Sequence, residues 1–242
     1  MKFEADDPRR RILIQMLAAG FFGTGSAASN LAFAQILGSP PTKLPAGKSI
    51  YRISGEVTVN GQKANLETKI GGGSTIQTGK DSELVYAVGE SAYIARPNTQ
   101  IVVETSNQDS AVVTGLKLLT GKLLSVFPSR RPVQLQTKVA SIGIRGTGVY
   151  LESDPEQTYF CTCYGVADVS ALDDPTSKET VAASHHDKPL YIVANEPAGK
   201  KIRNAPFINH TDQELMLVET LVGRQPPFVF PKSDYTGPRR SY

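Results

Sequence analysis

From Ile50 onward the chain alternates: apolar and polar residues trade places in short runs, and pairs rich in Gly, Asn and Pro break the runs. A period of two is the signature of half-buried strands. In GEVTVNGQKA, Val57 and Val59 share a face and Asn60-Gly61 follows. That pair favours a type I′ hairpin turn, because both positions accept positive φ. The scheme then repeats. Leu84, Tyr86 and Val88 alternate, Gly89-Glu90 turns, Ala92 and Ile94 alternate, and Pro97-Asn98 leads into Ile101–Val103. GLKLLTGKLLSVF predicts another strand, turn and strand, with the corner at Thr120-Gly121. VQLQTKVASIGIRGTGVYLE continues the series. Turn signals about every 8 to 12 residues predict a mainly β fold, an antiparallel sandwich or roll of short strands.

One stretch breaks the pattern. In NHTDQELMLVETLVGRQPPF, Thr211 followed by Glu214 forms a capping box. Leu215, Val218, Leu221 and Val222 fall on one face at helical spacing. Gly223 suits a C-cap and Pro226-Pro227 stop the helix. A single C-terminal helix over 211–223 is expected, docked on the β core. The tail from 231 is polar.

The N-terminus follows neither period. Arg9, Arg10 and Arg11 precede an apolar stretch, Ile12–Phe22, that is too short to span a bilayer. A small-residue run ends at Ala32-Phe33-Ala34, an A-x-A cleavage pattern. The order Arg-Arg-x-Ile-Leu resembles a twin-arginine export signal, with Pro8 where that pattern has Ser or Thr. The expected layout is a signal peptide over 1–34, a Pro/Gly-rich linker over 35–48, a β domain over 49–172 and an extension over 173–242. The expected location is the periplasm. Beyond residue 34 the chain holds 22 Lys/Arg against 20 Asp/Glu, and no basic aromatic-interleaved stretch, so a nucleic-acid partner is not expected. No later apolar run approaches membrane-spanning length.

Several of these pieces together resemble the FecR domain, the periplasmic module of iron-dicitrate-type regulators. They are GEVTVNGQKA, GSTIQTGKDSELVYAVGESAYIARPNT, LLTGKLLSVF, TKVASIGIRGTGVYLE and YGVADV, within residues 50–172. The most specific element is the Ala-x-Ile-Gly-Ile-Arg-Gly-Thr core at 140–147. Gly143, Gly146 and Gly148 punctuate that strand where the backbone must bend or approach a neighbour. Arg145 between them reads as a buried structural guanidinium satisfying carbonyls at a strand crossing, with a ligand-binding arginine as the alternative, and Thr147 closes the motif. Signalling members of the family join a sigma-factor-holding cytoplasmic segment, a membrane helix and this module. Only 11 residues precede the apolar stretch here, so sigma-factor binding is not expected. The resemblance implies a free-standing exported module that binds an envelope protein or a small ligand.

The candidate chemistry lies in YFCTCYG. Cys161 and Cys163 are the chain's two cysteines, two apart, and so share a strand face. Strand geometry spaces their Cα atoms ~6.5–7 Å apart, wider than the ~5.5–6 Å a disulfide prefers. Two thiolates on one face suit a metal, since metal–sulfur bonds of about 2.3 Å relax that distance. His185 and His186 follow after one loop. Adjacent histidines cannot both point inward from a regular strand, so an irregular segment is needed there. Cys161, Cys163, His185 and His186 form a candidate site for zinc, iron or copper. A disulfide and a pair of inert small residues stay open beside it. No catalytic motif appears elsewhere. The leading expectation is a non-enzymatic binding or envelope-signalling module. The alternatives are a metal- or redox-dependent periplasmic accessory protein working through the same cluster, and a scaffold docking through a sheet edge.

Overall fold

The computed structural model describes residues 41–107 and 111–228. The export-signal residues Arg9, Arg10, Ala32 and Ala34 and the tail from 229 lie outside them. Among the described residues, fourteen strands and one helix follow in chain order. They are β1 (Ile50–Ser54), β2 (Val57–Val59), β3 (Gln62–Lys63), β4 (Thr75–Thr78), β5 (Glu83–Val88), β6 (Ser91–Ala95), β7 (Gln100–Thr105) and β8 (Val113–Val126). Then come β9 (Pro132–Gln136), β10 (Ala140–Ser153), β11 (Gln157–Ala171), β12 (Asp174–Ala183), β13 (Leu190–Val193), β14 (Ile202–Asn204) and α1 (Asp212–Leu221). All fourteen strands belong to one sheet. Among the described residues its pairings are antiparallel except β8 with β9.

The hairpin signals fold as their chemistry dictates. Asn60 and Gly61 both take positive φ between β2 and β3, at 53° and 76°. The Thr120-Gly121 corner does not form. β8 runs through it as one 14-residue strand, β10 is as long, and β11 has 15 residues. β8 pairs with β7 up to Thr120 and with β10 from Gly121, so the glycine marks a change of partner instead of a reversal. A Cβ there would sit 2.5 Å from the Thr99 Cα. Such long strands let one sheet curl over and enclose its own core.

β10 makes a similar handover. Residues 141–145 pair with β9 and 148–153 with β8, and the register shifts between them. Gly146 sits at the shift with φ +61°, where a Cβ would lie 2.6 Å from the Ser129 Cα. Thr147 beside it is fully buried. Gly143 is under no such constraint, since the nearest atom to its Cβ position is 3.7 Å away. Arg145 departs from its expected role. Its side chain is 60% exposed and pairs with Asp168 at 2.9 Å, because the odd positions of this strand half face outward where no carbonyls need it.

The molecule has two apolar clusters. The inner one draws on nearly every strand, from Ile50 to Ile192, and its fully buried residues include Ile76, Ile101, Ile142 and Ile144 together with the rings of Tyr86, Tyr93 and Phe160. The outer one lies on the opposite face of β5, β6, β8, β10 and β11. There Ile94, Val126, Tyr150, Tyr159 and Tyr164 are covered by Leu215, Val218 and Leu221 of α1 and flanked by Phe207 and Phe228. Residues 205–228 thus form a strap across that face.

Candidate metal centre

The site begins with a gap in strand pairing. On its outer edge β11 pairs with β13 through residues 157–160 and with β12 through 165–171. Cys161 to Tyr164 fall between. The chain leaving β12 at Ala183 fills this gap with the loop 184–189, whose His186 N–H donates to the Cys163 carbonyl at 3.0 Å. Asp187 shapes the loop by accepting from the Ser184 and His185 amides at 2.6 and 3.2 Å. His186 adopts φ +56°, a left-handed turn that lets adjacent histidines diverge. His186 goes inward, 8% exposed, and the His185 side chain stays 40% exposed.

The second arm comes from the strap. Asn209 turns at φ +60°, and Thr211 caps α1 with Glu214 in the reciprocal capping box. Arg96, buried on the sheet, donates to Glu214 at 2.9 Å and to the Asn209 carbonyl at 3.1 Å. These bonds fix His210, the residue before the cap, against the sheet. Its ring stacks on Tyr150 with centroids 4.5 Å apart. On the other side Phe207 stacks on His186 at 4.1 Å.

The result is a group of four buried side chains, Cys161, Cys163, His186 and His210, whose ligand atoms all lie within 4.8 Å of one another. His185 does not belong to it. Its Nε2 bonds the Oδ2 of Asp212 at 2.8 Å, on the solvent side of the same carboxylate that holds His186. Sequence spacing misses His210 and Asp212, because both lie in the helix-capping segment, far along the chain. The available signal is a count: the chain has five Cys and His residues in all, and four of them meet here.

Hydrogen bonding sets the tautomers. The Nδ1 of His210 faces the Ile208 carbonyl at 2.7 Å. A carbonyl only accepts, so Nδ1 carries the hydrogen. The Nε2 of His186 faces Asp212 Oδ1 at 2.9 Å and must donate likewise. The remaining nitrogens, His186 Nδ1 and His210 Nε2, point at each other 3.2 Å apart. In neutral rings both present lone pairs, with the Cys161 sulfur 3.5 Å from His186 Nδ1. Such an arrangement calls for a cation at its centre. Ligand histidines oriented by a carboxylate or a backbone carbonyl are the usual outer shell of a metal site.

The charges of the closed, metal-free site agree. Burial alone would raise the Cys161 thiol, but hydrogen bonds from Cys163, His186 and His210 outweigh it and hold Cys161 well below the ordinary 9.0. Burial, followed by the hydrogen bond to Cys161 and its charge, pushes Cys163 well above that value. Burial also opposes a proton on His186, yet its bonds to Asp212 and Cys161 prevail and push it up to about 9. The pocket already gathers negative charge on sulfur and attracts positive charge between the rings.

No family model matches the chain, and no curated protein matches it. Among solved structures it is similar to a candidate anti-sigma factor from Parabacteroides distasonis, in two crystal structures at 1.65 and 2.50 Å resolution. Identity is 10% in both and the TM-scores are 0.44 and 0.43. The similarity covers 54% of this chain and 58% of that one.

Proposed function

We propose that this chain is an exported, FecR-like, non-enzymatic binding module, carrying one zinc ion held by Cys161, Cys163, His186 and His210. The carrying observation is the convergence of His186 Nδ1 and His210 Nε2, 3.2 Å apart, on two buried sulfurs. A tetrahedral ion with bonds of about 2.0–2.1 Å to nitrogen and 2.3 Å to sulfur spaces its ligands ~3.3 Å for two nitrogens and ~3.5 Å for nitrogen and sulfur. The observed separations are 3.2 and 3.5 Å. A proton between the rings would satisfy one contact and leave the Cys163 thiol with the Cys161 sulfur and the Cys161 carbonyl, 4.0 Å away, as its weak partners. A four-coordinate ion engages all four groups. The S2N2 donor set with every ligand supplied by protein suits structural zinc over copper or iron, and it leaves no open position for catalysis. Bound thiolates would also be shielded from oxidation in the periplasm.

Elemental analysis of the full-length protein purified after export tests the reading. One zinc per chain is expected, lost in His210→Ala and kept in His185→Ala. Protein that takes up no zinc on refolding, or a His185→Ala variant that loses it as His210→Ala does, overturns the assignment. The export and periplasmic readings have their own test. Arg9→Lys, Arg10→Lys and Arg11→Lys together should abolish accumulation in the periplasm if the twin-arginine route is used.

A further inference from the structure

We infer that the ion is a latch, and that its loss frees residues 205–228 from the outer face of the sheet while the inner core stays folded. The inference rests on the zinc reading above.

The strap can leave without opening the inner core, because no residue of 205–228 belongs to that cluster. It cannot persist alone either. Its helix has ten residues, short of the ~12–15 at which even good helix formers become marginal in water. No disulfide ties it down, since both cysteines are free thiols. Its remaining attachments are the apolar contacts of Leu215, Val218 and Leu221 and a set of side-chain and backbone hydrogen bonds, among them the Ala205 N–H to the Pro189 carbonyl at 2.8 Å, Asn209 to Glu152 at 2.6 Å and His186 to Asp212 at 2.9 Å. Arg96 pairs with Glu214 at 2.9 Å, the Tyr159 hydroxyl donates to the Pro206 carbonyl at 2.9 Å, and the Leu44 N–H reaches the Leu221 carbonyl at 2.9 Å. Tyr164 also donates to Glu219.

The ion site lies where the strap leaves the sheet and joins three separate segments. Two ligands are on β11, one is on the loop 184–189 and one is on the strap. Removing the ion does two things. It deletes the attachment at His210, and it leaves the four buried groups with only contacts among themselves, the 3.2 Å nitrogen pair, the 3.5 Å sulfur–nitrogen contact and a Cys163 sulfur 4.0 Å from the Cys161 carbonyl, so they are poorly paired. Buried polar groups without partners are strongly unfavourable. Lifting the strap lets water reach them, so opening relieves the penalty that ion loss creates. The Ile94, Val126, Tyr150, Tyr159 and Tyr164 face is then uncovered, and the chain has a closed loaded form and an open metal-free form.

Amide hydrogen exchange on the full chain tests this, comparing zinc-loaded protein with protein stripped by a chelator, metal content being measured on the same samples. Amides of 212–222 are expected to exchange about a hundredfold faster once the ion is gone, the scale on which losing a saturating ligand acts. Amides of β6 and β10 keep their protection, and added zinc restores the strap. His210→Ala should behave like the stripped protein and ignore the chelator. If that variant does not fold, the chelator comparison alone decides. Verified zinc loss with unchanged strap protection overturns the latch and leaves the zinc reading intact. So does equal loss of protection in the strap and in β6 and β10. Protein that binds no zinc overturns both.

Discussion

The two apolar clusters are built on opposite faces of the same strands, yet they differ in kind. The inner one is gathered from nearly every strand, and its aliphatic residues pack around a few aromatic rings, Tyr86, Tyr93 and Phe160, with no polar partner from the described residues at the end of the chain. The outer one mixes small and branched aliphatics with Tyr150, Tyr159, Tyr164 and both cysteines, has His210 stacked against it, and is covered by one strap, residues 205–228. A sheet that closes on itself needs no further element to bury its inside. Its outside needs a lid, and a short helix with three buried carboxylates, Asp212, Glu214 and Glu219, cannot hold a lid down by apolar contact alone. The outer face therefore enlists polar fastenings, namely Arg96 with Glu214, Tyr164 with Glu219 and the Cys/His group. The inner cluster gives permanence and the outer one gives a fastening that can be undone.

The largest expected effect tests the part shared by both faces. Gly146→Val forces a β-branched residue to φ +61° and places its Cβ against the Ser129 backbone at the point where β10 changes partner. Strain and clash together should cost ~3 kcal/mol or more and lower the melting temperature of the whole chain. A well-folded Gly146→Val protein of normal stability would show that the handover is not a fixed bend. The next effect separates the faces. Ile142→Ala in the inner cluster should cost ~2–5 kcal/mol with or without zinc. Leu215→Ala under the strap should cost a comparable ~2–5 kcal/mol in loaded protein and clearly less after chelation, because the strap is then less firmly held to the sheet. Equal costs for Leu215→Ala in both conditions would erase the distinction between the clusters. Urea unfolding of the four combinations measures both.

The same contrast explains what was legible in the sequence. Inner-face residues recur every second position, so alternation at Leu84, Tyr86 and Val88 or at Ile142 and Ile144 announces them, and Asn60-Gly61 announces its turn. The helix is equally plain, since capping and apolar spacing are local signals and place it within a residue or two of 212–221. What was hidden depends on pairing between distant segments. The pattern at Thr120-Gly121 reads as a turn because a strand that changes partner carries the same glycine as one that reverses. Arg145 reads as buried because its neighbours are apolar, although its own face looks to solvent. In the cluster, Cys161, Cys163 and His186 are visible as motifs. His210 enters only through the capping of α1 and its anchor on Arg96, which no spacing rule conveys.

A smaller effect tests the outer fastening from one atom further out. Asp212→Asn keeps the shape at the start of α1 but turns a charged acceptor into a neutral one facing His186 and His185. The imidazole becomes a poorer ligand and its tautomer less firmly set. Zinc affinity should fall ~10–100-fold, the range for such outer-shell partners, while protection in β6 and β10 is unchanged. Competition titration against a chromogenic chelator reads the affinity. An unchanged affinity would remove Asp212 from the site.

The smallest effect concerns the protection that the strap keeps after the ion is removed. In the closed metal-free site Cys161 titrates well below 9.0 and His186 at about 9. In the open form both return to ordinary values, 9.0 for the thiol and 6.5 for the imidazole. The lowered Cys161 stabilises the closed form fully above pH 9 and progressively less as pH falls toward its closed-state value. The raised His186 stabilises it fully below pH 6.5, and that contribution is lost as pH rises through about 9. Between those limits the closed form holds a thiolate and an imidazolium while the open form holds a thiol and a neutral ring, the same number of protons. The slope of stability with pH is then close to zero. Below 6.5 the open form binds the extra proton and protection falls. Above 9 the closed form holds more protons, on His186 and on the raised Cys163, and protection falls again. Zinc-loaded protein should differ. Protons compete with the ion for both sulfurs, so its protection declines only toward acid. Exchange protection of 212–222, corrected for the intrinsic rate at each pH, distinguishes a plateau bounded on both sides from a one-sided curve. A one-sided curve in stripped protein would mean that no thiolate–imidazolium pair forms in the site once the ion has gone.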